Sequence, residues 1–120
     1  MTVRELLAAC AGAAAHWQLH VNAFVDEFRQ ASDAERRTMM ADGPASESGC
    51  MEGLVAAVIS AVCRERELAP PAWVARTASP EPFFAFPARG FALRLRLMLE
   101  SPPAFRSRNV FVPENYLDRA

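Results

Sequence analysis

The chain has 120 residues, enough for one domain with a real core and too few for two comfortable ones. Hydrophobic residues make up 52% and charged residues 22%, a balance that excludes a disordered chain. The formal charge of −1 excludes a whole-molecule field that would draw the protein onto nucleic acid or an anionic membrane.

Charge is nevertheless unevenly placed. Residues 1–60 hold four arginines against eight acids, a balance of −4, and residues 61–120 hold nine against six, a balance of +3. All thirteen basic residues are Arg, which reads as the coding bias of a GC-rich genome; a phosphate-binding surface is usually built from Arg and Lys together.

Thr2 is placed to cap a first helix whose apolar face is Val3, Leu6, Leu7, Cys10 and Ala14. From about His16 a second helix carries Trp17, Val21, Phe24, Val25 and Phe28 on one stripe, the clearest amphipathic signal in the chain. Ser32 followed by Glu35 has the form of a capping box and opens a short third helix that should stop at Asp42-Gly43-Pro44. A turn-rich loop runs to Gly49. Over residues 48–67, Met51, Leu54, Val55, Val58, Ile59 and Val62 form a bulky face, and Gly53, Ala56, Ala57, Ser60 and Ala61 a small one. Such a helix is open to close approach on both sides and belongs at the centre of the domain.

Between residues 69 and 89 the prolines at 70, 71, 80, 82 and 87 exclude a long helix or a central strand. Trp73, Val74, Phe83, Phe84 and Phe86 are interleaved with them, so the segment is expected to wrap over the helices as an ordered strap, with a short helix at 71–75. Residues 90–100 fit two periods. Phe91, Leu93, Leu95, Leu97 and Leu99 alternate with Arg94 and Arg96 as in a strand, whereas Phe91, Leu95, Met98 and Leu99 make a helical face. Helix is preferred, because Leu, Arg, Met, Ala and Glu favour it and no β-branched residue occurs. Ser101 or Pro102 then opens a turn through Phe105, residues 110–112 read as a brief extended piece, and residues 113–120 as a last helical turn. The expected fold is therefore all-α, a single domain over residues 1–120, with four to six helices bundled beneath the strap.

Little in the sequence is arranged for chemistry. His16 and His20 lie four apart with Glu27 on the same strip, which permits a metal site, but no further ligand and no HExxH pattern accompany them. Partly exposed histidines at the border of the core are the preferred reading. Cys10, Cys50 and Cys63 form neither a disulfide framework nor a zinc ladder, and reduced cytoplasmic thiols fit them best. Cys50, near a helix start, is the least poor candidate for a nucleophile. Leu7-Ala8-Ala9-Cys10 has the form of a lipoprotein cleavage box, yet Arg4 and Glu5 interrupt the apolar segment that export needs. No phosphate loop, nucleophile elbow or carboxylate set is present, so neither catalysis nor a cofactor is expected. Arg94, Arg96, Arg106 and Arg108, with Phe105, Asn109 and Phe111, leave open a basic and aromatic surface for nucleic acid. An ordinary solvated face whose arginines pair with the acidic N-terminal half is the preferred reading, and a protein partner is a separate alternative, since Arg and aromatic side chains are common interface anchors.

Pro70-Pro71-Ala72-Trp73-Val74, then Pro82-Phe83-Phe84, then the run from Ser101 to Val112, resemble a family of small bacterial helical proteins common in high-GC genomes. These are similar to the antitoxin-like or regulator-associated partners of nucleotidyltransferase-type toxins. The resemblance covers about residues 50–120 and implies a non-enzymatic module that binds and neutralises a neighbouring protein. Trp73, Phe105, Arg106, Arg108 and Phe111 are the contact residues it suggests.

Overall fold

The computed structural model describes residues 1–12, 16–45, 49–85 and 90–118. Its elements run α1 (Val3–Gly12), α2 (Trp17–Gln30), α3 (Asp33–Ala41), α4 (Cys50–Glu65), α5 (Ala72–Arg76), β1 (Phe83–Phe84), α6 (Phe91–Glu100), α7 (Pro103–Arg106) and β2 (Val110–Phe111). The architecture is mainly helical, as expected. Seven helices occur among the described residues against an expected four to six, because α5 and α7 are single turns of five and four residues. Ala14, Phe86 and Pro87 lie outside the described residues.

The helix ends follow from local chemistry. Thr2 Oγ1 accepts the backbone N–H of Glu5 at 3.2 Å and opens α1. Ser32 Oγ accepts the Glu35 N–H at 3.2 Å while Glu35 Oε1 accepts the Ser32 N–H at 3.0 Å, so the capping box forms as its sequence suggests. At the end of α4 the Leu68 N–H reaches the Cys63 carbonyl at 2.9 Å and the Glu67 N–H reaches Arg64 at 3.2 Å. This is the Schellman closure, and it holds Glu67 in the left-handed region at φ 54°.

The helix α4 is the centre of the molecule. It packs against α1, α2, α5, α7 and β2, and its residues from Gly53 through Ile59, with Val62 and Cys63, are buried. On the small face Gly53, Ala56 and Ala57 are buried while Ser60 and Ala61 are half-buried. On the α2 side, Val21, Phe24, Val25 and Phe28 are buried as one stripe.

The strap is ordered where it is described. The Trp73 indole N–H donates to the Met40 carbonyl at 2.9 Å, and a β-carbon on Gly43 would come within 2.6 Å of Trp73 Cγ, so ring and backbone lie in contact. Further on, the Ser79 N–H donates to Arg108 at 2.9 Å, Phe83 to Asn109 at 3.0 Å and Ala85 to Phe111 at 3.1 Å. The result is a two-stranded parallel sheet with Phe83 opposite Val110 and Phe84 opposite Phe111. Pro80 and Pro82 fall between the bonded positions Ser79, Phe83 and Ala85, which is why a proline-rich segment can still be zipped to the body.

Residues 91–100 are helical, resolving the double periodicity in favour of helix. Residues 114–117 form turns, with bonds from Tyr116 to Pro113 and from Asp118 to Asn115, where a last helical turn was expected. Tyr116 and Leu117 of this segment pack against the main core from turn geometry. Among the described residues no helix is long and apolar enough to cross a membrane.

Candidate functional site

The helix α6 is attached to the body by little. Its only buried side chain is Leu97, which joins Phe111 and the half-buried Phe84 in a cluster separate from the main core. The Phe84 and Phe111 rings lie 5.2 Å apart, and the Arg94 guanidinium sits 5.5 Å from the Phe84 ring centre. At its end, Ser101 Oγ donates to Val112 O at 3.0 Å and accepts from Val112 N at 2.9 Å, fixing the departure of the chain. Ser101 is itself buried, so these bonds are shielded from water.

The helical face foreseen from the sequence is open to solvent on one side and borders the strap on the other, and Leu93, off that stripe, is 43% exposed as well. Phe91 is 81% exposed, Leu95 42%, Met98 41% and Leu99 69%. Successive positions at i, i+4, i+7 and i+8 place these four on one stripe of a helix. Together with Pro82 and Phe84 from the strap, Phe91, Leu95 and Met98 line an open groove of about 510 Å³, with Glu81 and Arg94 on its rim. Single exposed apolar residues are ordinary, whereas a contiguous apolar stripe beside an apolar groove is a candidate contact surface. A larger hollow of about 540 Å³ lies between the N-terminus and α3, but acids and small residues dominate its walls.

The residues suggested for partner binding do not assemble into one surface. Phe105 is fully buried in the main core, its ring edge-on to Tyr116 with centroids 5.5 Å apart. Trp73 and Phe111 are buried as well, the first against Met40 and Gly43, the second beneath α6. Arg108 is drawn inward: its guanidinium donates to the Ala104 carbonyl at 2.8 Å and to the Val74 carbonyl at 3.2 Å, and burial lowers its pKa. Arg106 is exposed and lines a shallow depression with Glu100 and Glu114. Proline and aromatic residues were conspicuous in the sequence because they build the strap, and Arg108 because it ties α5 to α7.

Three of the four arginines considered for nucleic acid are engaged, and Arg106 is exposed. Arg96 donates to Glu100 at 2.8 Å, Arg94 stacks on Phe84, and Arg108 is spent on backbone carbonyls. The proposed metal strip is also dispersed. His16 is exposed ahead of α2, His20 is half-buried, and the Glu27 carboxylate accepts from the Met1 ammonium at 3.0 Å. Among the described residues no three His, Cys, Asp or Glu side chains group as they would around a metal ion.

Two of the three thiols, Cys10 and Cys63, are buried. Burial pushes Cys63 up to about 11, against a smaller opposing effect of Arg36, and its Sγ lies 3.5 Å from Met40 Sδ. Burial also raises Cys10, which faces the Trp17 carbonyl at 3.8 Å. Cys50 Sγ lies 3.3 Å from Ser79 Oγ.

The residues that stand out functionally are thus Phe91, Leu95, Met98 and Leu99. Periodicity grouped them correctly, and it carried no information on whether the group faces the core or solvent. No protein-family model, curated protein or solved structure matches the chain.

Proposed function

We propose that the protein is a non-enzymatic protein-binding module of the bacterial cytoplasm, an antitoxin-like partner that neutralises a neighbouring toxin. In this reading the helices around α4 form the bundle that holds a contact surface, and the surface is the outer face of α6 with the groove beside it. The observation that carries it is the exposure of Phe91, Leu95, Met98 and Leu99 on one helical stripe. A stripe with i, i+4 and i+7 spacing is the pattern by which one helix engages another or lies in a groove. The antitoxin-like role itself rests on the resemblance of residues 50–120 to that family.

Co-expression with the product of the adjacent gene tests the proposal. The native protein should co-purify with that product and relieve its toxicity, and Leu95→Glu should abolish both while the fold persists. A neighbour that is neither bound nor neutralised would contradict it.

A further inference from the structure

The outer face of α6 has a chemistry that narrows what covers it. Its centre is wholly apolar, made by Phe91, Leu95, Met98 and Leu99. Its two flanks are each electrically balanced. On the groove side Glu81 and Arg94 share the rim, and on the other side Arg96 is paired with Glu100 at 2.8 Å. A partner of strong net charge gains nothing from such a face, since attraction to one rim residue is offset by repulsion from its neighbour. A second copy of the same face meets no net repulsion and presents a matching apolar stripe.

The dimensions agree. A ten-residue helix is about 15 Å long, which suits side-by-side pairing of two short helices. Taking about 200 Å² for a large side chain, the exposed fractions of these four residues amount to roughly 450 Å² of apolar surface on each copy. Pairing two faces, with Pro82, Phe84 and the rim residues drawn in, buries about 1,000 Å² or slightly more, the lower bound for a specific interface. Isologous two-fold pairing is also the commonest form of protein self-association, and one self-complementary patch is all it needs.

We infer that the free protein is a two-fold dimer in which α6 of one copy packs antiparallel on α6 of another, sheltering Leu95 at the centre of the contact. The inference rests on the reading of α6 as a protein-contact surface and adds to it the occupant in the absence of any other partner. Because the interface sits near the lower size bound, the dimer dissociates on dilution, which leaves the same face available to a heterologous protein.

Sedimentation equilibrium over a dilution series, on the full chain, tests this. The native protein should pass from dimer to monomer with falling concentration, and Leu95→Glu should raise the dissociation constant at least tenfold with unchanged helical circular dichroism. Leu19→Glu, at the exposed Leu19 of α2, should dimerise like the native chain. Should Leu95→Glu fail to fold, Leu99→Glu carries the same expectation from a more exposed position. A native protein that stays monomeric at every concentration overturns the inference, as does a dimer indifferent to both α6 substitutions. A monomer that binds anionic phospholipid vesicles through α6 overturns it in favour of a lipid surface. If the native chain is monomeric but captures and neutralises the neighbouring gene product through Leu95, only the dimer is lost; a dimer with no neutralising effect loses only the antitoxin reading.

Discussion

A β-carbon on Gly53 would stand 2.5 Å from the backbone nitrogen of Ser79, so α4 and the strap meet backbone to backbone at this point. The contact explains why a helix with a bulky face keeps its other face small, and it makes the first prediction. Gly53→Ala forces the strap to shift and should lower stability by about 1–3 kcal/mol, read from the denaturant midpoint. Gly12→Ala, with nothing within 4 Å of the added carbon, should be neutral or stabilising by up to about 1 kcal/mol. Equal effects at the two sites would contradict the seating of the strap.

Glu67 closes α4 with φ 54°, a conformation in which a β-carbon crowds the following carbonyl. Glu67→Gly removes that crowding and keeps the two closing hydrogen bonds. Thermal unfolding should show a gain of about 0.5–1 kcal/mol, and a loss of that size would mean the Schellman closure is absent in solution.

The start of α3 should respond to acid. Glu35 accepts the backbone N–H of Ser32 and interacts with its hydroxyl, and these bonds hold its pKa below the ordinary carboxylate value. A lowered native pKa means the unfolded chain takes up the proton first as pH falls. The stabilisation is therefore complete above the ordinary value and fades as pH drops through the native one. In an NMR titration Glu35 should titrate below a free glutamate, and Ser32→Ala should return it towards that value. A Glu35 that titrates as a free glutamate in the native protein would rule out the reciprocal cap.

Most of the fold was legible because strong local signals agreed with the tertiary demand. The stripe from Val21 to Phe28, the Ser32 and Glu35 pair and the central position of residues 50–65 all rest on periodicity or on hydrogen bonds within a few residues. The pairing of Phe83 and Phe84 with Val110 and Phe111 was less legible: two residues per strand leave no pattern, and the partners are far apart in sequence. The candidate site fell between these cases. That Phe91, Leu95, Met98 and Leu99 share a face follows from helical geometry, but that Leu97 alone turns inward depends on where Phe84 and Phe111 come to rest. Trp73, Phe105 and Phe111 drew attention as aromatic anchors, and an aromatic side chain serves a core as readily as an interface.

That last distinction is measurable. Phe105→Ala should cost about 3–5 kcal/mol and reduce any partner binding only through loss of folded protein. Arg106→Ala, on the surface, should change stability by no more than about 0.5 kcal/mol. A Phe105→Ala protein that remains stable while losing a partner would return this residue to the contact surface.

The central claim is that the outer face of α6 is a protein-contact surface left uncovered in the single chain. Amide hydrogen exchange of the native protein, compared in dilute and concentrated solution, addresses it most directly. Exchange across residues 91–100 should slow on concentration, with α2 and α4 unchanged. Identical exchange in α6 at both concentrations, or protection that appears on α2 in its place, would contradict it.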